Sequence, residues 1–291
     1  MRTTVKVSAP PVLSGLTGIE GLFYAALDLP GDEVTVKISE TPGVHIQSVT
    51  GDKSGRTPAS DAVKQVIGSY LEHRGMSGEM GVAVDIRLRK SNFETLGGEA
   101  PSVTAALVGV DFLVTDRLPL HALVPFIEGA VRQGFSAAGV TSLYGGVMMD
   151  AGLEERRYRK VYMPEGMYFV FAQYRWPFDR IKSIAPLERN QKTASFVLGG
   201  MTGDWSLLKH ALSLGMDSLT TETTEILGHL RGIPGFIGMG TTMPAGLLYA
   251  ICDNSGAAED VKSAFEGRWP PSRHQQKPFI ARLHPSGHQI Y

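Results

Sequence analysis

The alternation of hydrophobic and polar residues predicts the first elements of the chain. Strands are expected over 3–9, 21–30, 32–39 and 81–90. Residues 61–75 have helical spacing instead, with Ser60 or Asp61 as the expected N-cap and Gly75 as the stop. The polar, glycine-containing stretch 50–60 is predicted to be a loop.

The same patterns continue to the C-terminus without strict alternation of strand and helix. Helices are predicted over 100–114, 118–134, 220–233 and 257–268, with a helix–break–helix over 193–215. Strands are predicted over 144–152, 159–166 and 167–174, followed by a strand–turn–strand over 235–253 and a final strand with a tail over 277–291. This mixture favours an α+β architecture over a doubly wound sheet. The expected boundary falls within 158–167, which predicts two domains over 1–163 and 164–291.

Composition and charge narrow the class of protein. The 291 residues are 43% hydrophobic, which is enough for a substantial core. A formal net charge of −1 does not favour nucleic-acid binding. No apolar run reaches the roughly 18 residues of a membrane span, and the N-terminus lacks the pattern of a signal peptide. We therefore expect a cytoplasmic protein whose partner is a small molecule, neither nucleic acid nor membrane.

Cysteine and histidine usage argues against two kinds of site. The single cysteine, Cys252, excludes an internal disulfide, and its apolar surroundings favour a buried structural thiol. The eight histidines show no spacing typical of zinc ligands. No nucleophile-elbow motif occurs either.

The stretch "LGGEAPSVTAAL", residues 96–107, is the most distinctive motif. Gly97 and Gly98 precede an apolar helix, as in loops that bind phosphate at a helix N-terminus. Pro101 suits the first turn of that helix, where a missing N–H costs little. The carboxylate of Glu99 is the unusual feature, because it lies where such loops receive an anion.

Several motifs together resemble the GHMP small-molecule kinase superfamily. They are the N-terminal "VKVSAPP", the Gly-rich "TLGGEA", the late "GMGTTMPAGLLYA" and the C-terminal "FIARLHPSGHQIY". The resemblance implies a two-domain α+β fold. It combines an N-terminal domain like ribosomal protein domain 2 with a ferredoxin-like C-terminal domain.

Two branches of the superfamily compete. The block "SAAGVTSLYGGVMMDAG", residues 136–152, is similar to β-ribofuranosylaminobenzene 5′-phosphate synthases of methanopterin biosynthesis. That resemblance implies a transferase of C1-cofactor metabolism that uses phosphoribosyl diphosphate and an aromatic acid, and it is our leading expectation. Homoserine kinases match in outline and imply ATP-dependent phosphorylation of a small hydroxyl substrate. A catalytically inactive homologue that binds a metabolite or a partner is a third alternative. The expected partners are a phosphorylated small-molecule substrate and a second copy of the chain in a homodimer.

Glu99 departs from the family pattern and disfavours ATP. Kinases of the superfamily carry Gly-Leu-Gly-Ser-Ser-Ala where this chain has "TLGGEA". Two like charges about 4 Å apart repel by roughly 4 kcal/mol at an effective dielectric near 20. A bound Mg²⁺ would reverse this repulsion, because the charge of the ion then dominates.

The resemblance supplies the remaining candidate residues. Glu128 matches a magnesium-binding glutamate of the kinases, so the expected catalytic and metal-binding pair is Glu99 and Glu128. The expected substrate-binding residues are Glu20, Gly97, Gly98, Ser102, Asp150, Thr241 and Thr242. The alternative is that these acids occupy plain turns or exposed helix positions, and that Glu99 merely caps its own helix.

Overall fold

The computed structural model describes residues 2–16, 22–51, 58–88, 96–132, 134–152, 157–173, 186–213, 221–241, 247–268 and 277–291. The strands are β1 (Thr4–Ala9), β2 (Val12–Ser14), β3 (Phe23–Ala26), β4 (Asp32–Ser39), β5 (Gly43–Thr50), β6 (Gly81–Arg87), β7 (Val147–Asp150), β8 (Tyr158–Val161), β9 (Tyr168–Gln173), β10 (Phe236–Thr241), β11 (Leu247–Cys252), β12 (Phe279–Arg282) and β13 (Gln289–Ile290). The helices are α1 (Pro58–His73), α2 (Ala100–Leu113), α3 (Leu120–Ala130), α4 (Ser136–Tyr144), α5 (Pro186–Thr202), α6 (Trp205–Ser213), α7 (Thr221–Leu230) and α8 (Ser255–Arg268). The predicted α+β class is confirmed.

The chain forms two compact units that are not contiguous in sequence. The first contains residues 1–13, 25–148 and 284–291, and the second contains 14–24 and 149–283. The sequence instead predicts a single cut between 163 and 164. Part of the difference arises because the last strand, β13, pairs antiparallel with β1 and so returns the C-terminus to the first unit.

Three sheets organise the units. The first unit has a sheet of order β13-β1-β4-β6-β5, and the second has an antiparallel sheet of order β10-β11-β9-β12. A third sheet has the order β2-β3-β7-β8. The sequence boundaries between the two units fall within β2, β3 and β7. In the second unit, apolar residues of α7 and α8 pack with the β9–β11 strands into one core.

Helix α2 lies at the centre of the first unit. All of its residues except Phe112 are buried, as expected for a helix that is apolar on every side. At Gly109 the helix approaches the sheet so closely that an added Cβ would lie 2.7 Å from Val36 Cγ2. The sheet therefore fixes the depth of α2, and with it the position of the turn at its N-terminus.

The C-terminal return is held by backbone contacts with the end of α4. The Gly146 N–H donates to the His284 carbonyl at 2.7 Å, and His288 Nδ1 lies 2.9 Å from the Leu143 carbonyl. Gly145 and Gly287 both have positive φ, and a side chain on either would collide with the backbone of the other segment. These contacts explain why the last eight residues belong to the first unit.

Several predicted boundaries differ from the structure. Helix α1 begins at Pro58, so Ser60 and Asp61 lie inside its first turn and neither is the N-cap. Strand β5 and helix α4 lie where the sequence patterns predicted no element. Helix α3 ends at Ala130, four residues before the predicted end.

No helix of the described residues combines the length and the apolar character that a bilayer crossing requires. The predicted structural role of Cys252 agrees with its position in the fully buried strand β11. Burial, with a smaller contribution from Asp253, raises the pKa of the Cys252 thiol to about 12. The thiolate is therefore scarce at neutral pH.

The contact between Gly109 and Val36 gives the first prediction. Gly109→Ala should lower the free energy of unfolding by about 1–3 kcal/mol, because the new methyl group overpacks the sheet. The matched control is Gly129→Ala in α3, where an added Cβ meets no atom within 4 Å. That control should raise stability by about 0.5–1 kcal/mol through helix propensity. Urea denaturation measures both, and equal effects would contradict the close packing of α2.

Candidate functional site

A Gly-rich turn over residues 96–99 leads into α2. Gly97 has a φ of 97° and Gly98 a φ of 54°, both in the region that favours glycine. The Leu96 carbonyl accepts the Val12 N–H at 3.1 Å, which ties the turn to β2. The sequence therefore carries two glycines here because the backbone conformation requires them.

Glu99 is buried beside the turn and forms a bidentate ion pair with Arg132. Arg132 Nη2 donates to Glu99 Oε2 at 2.7 Å, and Arg132 Nε donates to Oε1 at 2.9 Å and to Oε2 at 3.0 Å. The Arg132 backbone N–H also donates to Oε1 at 2.9 Å. The Glu99 side chain is 2% exposed, whereas the Arg132 side chain is 54% exposed. Both carboxylate oxygens are thus engaged, and the guanidinium lies on the solvent side of the pair.

The end of α3 makes this pairing possible. Val131, the C-cap, has an extended conformation, and its N–H still donates to the Ile127 carbonyl. Arg132 then lies outside the helix, so its own N–H is directed to Glu99 and does not complete a helical turn. Had α3 continued to 134 as the sequence predicted, this backbone N–H would have bonded within the helix.

The pKa of Glu99 reflects these contacts. Burial raises the pKa, but hydrogen bonds from the Arg132 side chain and backbone outweigh it and hold the pKa below its ordinary value. The carboxyl group is therefore ionised at neutral pH. Its charge is compensated by Arg132.

Glu99 does not cap α2 through its side chain. It is the N-cap residue by position, but it has helical φ and ψ angles and makes no side-chain bond to the first turn. Its backbone carbonyl accepts the Val103 N–H at 3.0 Å. The alternative that Glu99 caps its own helix through its side chain is therefore wrong, because the carboxylate bonds to Arg132, which offers both charge and a bidentate fork.

Arg132 and Phe135 together cover Gly98. The guanidinium carbon of Arg132 lies 5.1 Å from the centroid of the Phe135 ring. A Cβ at Gly98 would lie 3.2 Å from Phe135 Cε1 and 3.3 Å from Arg132 Nη2. A Cβ at 98 would therefore require Phe135 or Arg132 to shift by a few tenths of an ångström.

Two polar groups at the start of α2 have partners within the first unit. The Ala100 N–H donates to the Gly97 carbonyl at 3.0 Å, and Pro101 has no N–H. The Ser102 hydroxyl is fully buried and donates to Asp32 Oδ2 at 2.6 Å. The substrate-binding role predicted for Ser102 stays a prediction, because this hydroxyl is committed to a buried carboxylate of β4.

Glu128 lies half-buried on α3, two residues before the end of that helix. Glu128 is already engaged in a contact within the protein. In the parts of the chain that the structure describes, no three His, Cys, Asp or Glu side chains are grouped so that they could hold a metal ion. The metal role predicted for Glu99 and Glu128 stays a prediction, and Glu99 would have to leave Arg132 to fulfil it.

Asp150 closes the hairpin between β7 and β8. Arg157 Nε and Nη2 donate to its two carboxylate oxygens at 2.9–3.0 Å, and the Gly152 N–H donates to Oδ1 at 3.0 Å. The Asp150 side chain is 12% exposed. This geometry agrees with the turn interpretation, and the substrate role predicted for Asp150 stays untested.

Of the other predicted substrate residues, the structure describes only Thr241. Thr241 is the last residue of β10. Glu20 and Thr242 lie outside the described residues. The substrate-binding roles predicted for Glu20, Thr241 and Thr242 therefore stay predictions.

Sequence reasoning missed Arg132, Phe135 and Asp32. A lone acid in a Gly-rich, helix-opening loop implies a basic partner, since buried charges are paired. The chain has 28 lysine and arginine residues, however, and nothing in their spacing selects the partner. The selection depends on where α3 ends, which the helical pattern did not predict.

The first unit also contains a polar cavity of about 490 Å³ beside the C-terminal return. Among its lining residues are Asp28, Glu33, His284, Gln289 and Tyr291. Burial lowers the pKa of His284, and the nearby Asp28 partly opposes this. Glu33 is paired with Lys6 at 3.1 Å, so part of the acidic lining is already neutralised.

A buried lysine in the second unit is a further residue that sequence reasoning missed. Lys192 on α5 is 3% exposed. Burial lowers its pKa to about 8, and Glu188 one turn earlier opposes this shift. Phe196, one turn later, is fully buried and packs on Phe23 with ring centroids 4.6 Å apart, so this stripe of α5 faces the interior.

Solved structures of small-molecule kinases share the fold of the whole chain. A homoserine kinase from Cytophaga hutchinsonii is 21% identical with a TM-score of 0.83, and the match covers 100% of this chain and 98% of that one. A putative homoserine kinase from Listeria monocytogenes is 12% identical with a TM-score of 0.71, covering 99% of both chains. The mevalonate kinase of L. major in complex with R-mevalonate is 14% identical with a TM-score of 0.65, covering 97% and 96%.

No protein-family model matches the chain, and no curated protein matches it either. At these identities the structural likeness shows the fold alone. The predicted two-domain fold of the GHMP kinases is confirmed. Nothing in the comparisons supports the likeness to the methanopterin-pathway synthases, so that part of the resemblance has no support beyond the sequence motifs.

The ion pair predicts a specific dependence of stability on pH. Because the folded-state pKa of Glu99 lies below its ordinary value of 4.5, the carboxylate stabilises the fold above pH 4.5, and this contribution is lost as the pH falls further. Glu99→Gln should therefore cost most stability at pH 7, and its cost should shrink below pH 4.5. Denaturant unfolding from pH 7 to pH 3 measures the difference.

The control for this series is Glu259→Gln, in an exposed pair with Lys262 on α8. Surface ion pairs contribute little, so its effect should stay within about 0.5 kcal/mol at every pH. A cost of Glu99→Gln that does not change with pH would contradict the assignment.

Proposed function

We propose that the chain is a diverged small-molecule phosphotransferase of the homoserine-kinase type. It would transfer the terminal phosphoryl group of ATP to the hydroxyl of a small substrate. The observation that carries this proposal is the Gly-rich turn at the N-terminus of the buried helix α2, with the charge of Glu99 compensated by Arg132. The structural likeness to homoserine kinases over the whole chain supports it.

The Glu99–Arg132 pair changes the electrostatic argument against ATP. An isolated carboxylate at the turn would repel a phosphate by roughly 4 kcal/mol at 4 Å and an effective dielectric near 20. Arg132 carries the opposite charge and is far more exposed than Glu99, so an anion from solvent meets the guanidinium first. The repulsion on which the exclusion of ATP rested is therefore offset, and ATP becomes an acceptable donor.

The residues of the turn do not fit a Mg²⁺ site. Both oxygens of Glu99 accept hydrogen bonds from Arg132, and the described residues contain no group of three candidate ligands. The kinases that the sequence resembles use Mg·ATP. In this chain the ion would enter as part of the Mg·ATP complex, without a carboxylate ligand from Glu99.

In the proposed reaction, the bond between the terminal phosphorus of ATP and its bridging oxygen breaks. A new phosphorus–oxygen bond forms to the substrate hydroxyl, whose proton is released, and ADP leaves. Such transfers depend mainly on positioning and on charge stabilisation at the phosphoryl oxygens. Arg132 is suited to the second task through its positive charge, while its Nε and Nη2 groups donate to Glu99.

The synthase interpretation makes a similar electrostatic demand on the same residues but implies a different reaction. Phosphoribosyl transfer with loss of pyrophosphate would also need a cation to receive an anionic leaving group. An inactive homologue would bind an anion and release no product. Assays of the reaction products distinguish the kinase, the synthase and the inactive homologue.

The test is a product assay on the full chain with Mg·ATP and a panel of hydroxyl substrates that includes homoserine and mevalonate. We expect ADP release that depends on one of these substrates, with kcat at or below the roughly 1–100 per second that is typical of kinases. The matched control omits the hydroxyl substrate. Pyrophosphate release from phosphoribosyl diphosphate with an aromatic acid, and no ADP in any reaction, would replace this proposal with the synthase.

A further inference from the structure

We infer that the outer face of α5 is a self-association surface, through which two copies of the chain form a symmetric dimer. This surface is the apolar stripe Leu187, Ala194, Leu198 and Met201, with Tyr162 beside it. All five residues belong to the second unit. The inference goes beyond the proposed function and does not depend on which reaction the chain catalyses.

The large side chains of this surface are mostly exposed to solvent. Tyr162, Leu187, Leu198 and Met201 are between 52% and 71% exposed. Among the other large hydrophobic residues that the structure describes, only Tyr291 is more than half exposed, and it is the last residue of the chain. Single exposed hydrophobic residues are normal on a protein surface, but a contiguous patch of a few hundred Å² marks a site of interaction.

The apolar stripe lies opposite the face by which α5 packs into its own unit. Lys192 and Phe196 are buried. Ala194 and Leu198, the residues two positions further on, lie about 200° around the helix and are exposed. A surface helix ordinarily has one apolar side and one polar side. Helix α5 is apolar on both, so its outer side offers a second packing surface.

Tyr162 extends the patch beyond the helix. It directly follows β8, which is an edge strand of its sheet. An added Cβ at Gly200 would collide with the Tyr162 carbonyl, so this residue lies against the C-terminal half of α5. An exposed tyrosine beside aliphatic residues is typical of protein–protein interfaces, where aromatic side chains are enriched.

The absence of exposed charge along the stripe favours a second copy as the occupant. From 190 to 202 the only charged residue is Lys192, which is buried. Asn190, Gln191 and Thr202 are exposed and polar but uncharged. Depletion of charge is the compositional sign of an interface centre. Two copies meet here without like-charge repulsion, whereas a strongly charged partner would find no charges to pair with.

The spacing of the stripe suits a two-fold pair. Leu187 and Met201 lie seven residues on either side of Ala194, about 10 Å along the helix in each direction. A two-fold axis pairs one patch with itself, so the midpoint faces its own copy. The small side chain at the midpoint allows close approach of the helices. Two copies bury the patch twice, which with its polar margin brings the pair to roughly the 1,000 Å² that a specific interface needs.

Sedimentation of the full chain, with charged variants at the midpoint, tests this pairing. Wild type at tens of micromolar should have twice the mass of the 31.4 kDa chain. Ala194→Glu and Ala194→Lys should each be monomeric, because like charges then meet at the axis. An equimolar mixture of the two variants should regain the dimer mass, because opposite charges then meet. Both new residues are good helix formers, and thermal melting checks that each variant is folded.

The matched controls are Ser263→Glu and Ser263→Lys. Ser263 is also an exposed, small residue on a helix of the second unit, α8. The same changes of charge are made away from the stripe, so both variants should remain dimers. Monomers of the control variants would show that net charge governs association and would overturn the inference.

Leu198→Gln tests the apolar contribution without a change of charge. Each copy loses one leucine from the interface, so the dissociation constant of the dimer should rise at least about tenfold. Its control is Leu120→Gln, at an exposed leucine that begins α3 in the first unit, which should change the constant less than about twofold. A monomeric wild type, a dimer that survives Ala194→Glu, or a mixture of the two Ala194 variants that stays monomeric would each overturn the inference.

Discussion

The charge of the buried Glu99 is the constraint on which the Gly-rich turn depends. A carboxylate that is 2% exposed is tolerated only with a partner that supplies both charge and hydrogen bonds. Arg132 supplies both, and three features of the chain serve this contact. Helix α3 ends at Ala130, Arg132 directs its backbone N–H to the carboxylate, and Gly98 leaves room for the guanidinium.

The packing of α2 against the sheet holds Glu99, the buried member of the ion pair, in place. Helix α2 is buried along nearly its whole length, and its close approach to Val36 at Gly109 fixes the helix against the sheet. The turn at its N-terminus is therefore part of the packed interior of the first unit, and the guanidinium is the exposed side of the pair.

Much of the fold could be predicted from the sequence, because local patterns carry it. The period-two alternation of "DEVTVKIS" and the apolar run of α2 predicted β4 and α2 nearly to the residue. Strand β5 escaped prediction because its residues are mostly polar or half-exposed, as is common at a sheet edge. The return of 284–291 to the first unit also escaped prediction, because it rests on backbone contacts at Gly145 and Gly287 that leave no periodic signal.

The site was only half predictable for a similar reason. The motif "LGGEAPS" identified Gly97, Gly98 and Glu99, since positive φ and helix-opening loops have compositional signatures. Its partner lies 33 residues away, beyond the end of another helix, and no sequence rule pairs the two. Without the partner, the sequence leaves Glu99 as a repulsive charge, a metal ligand or a helix cap, and the inference against ATP rests on that incomplete picture.

A double-mutant cycle between Glu99→Gln and Arg132→Gln tests the central claim most directly. Urea unfolding of the wild type, both single variants and the double variant at pH 7 gives the coupling free energy of the pair. We predict a coupling of about 1–3 kcal/mol, with the double variant more stable than the sum of the two single losses implies. A coupling within about 0.3 kcal/mol of zero would mean that the two residues do not interact in solution, and would contradict the account.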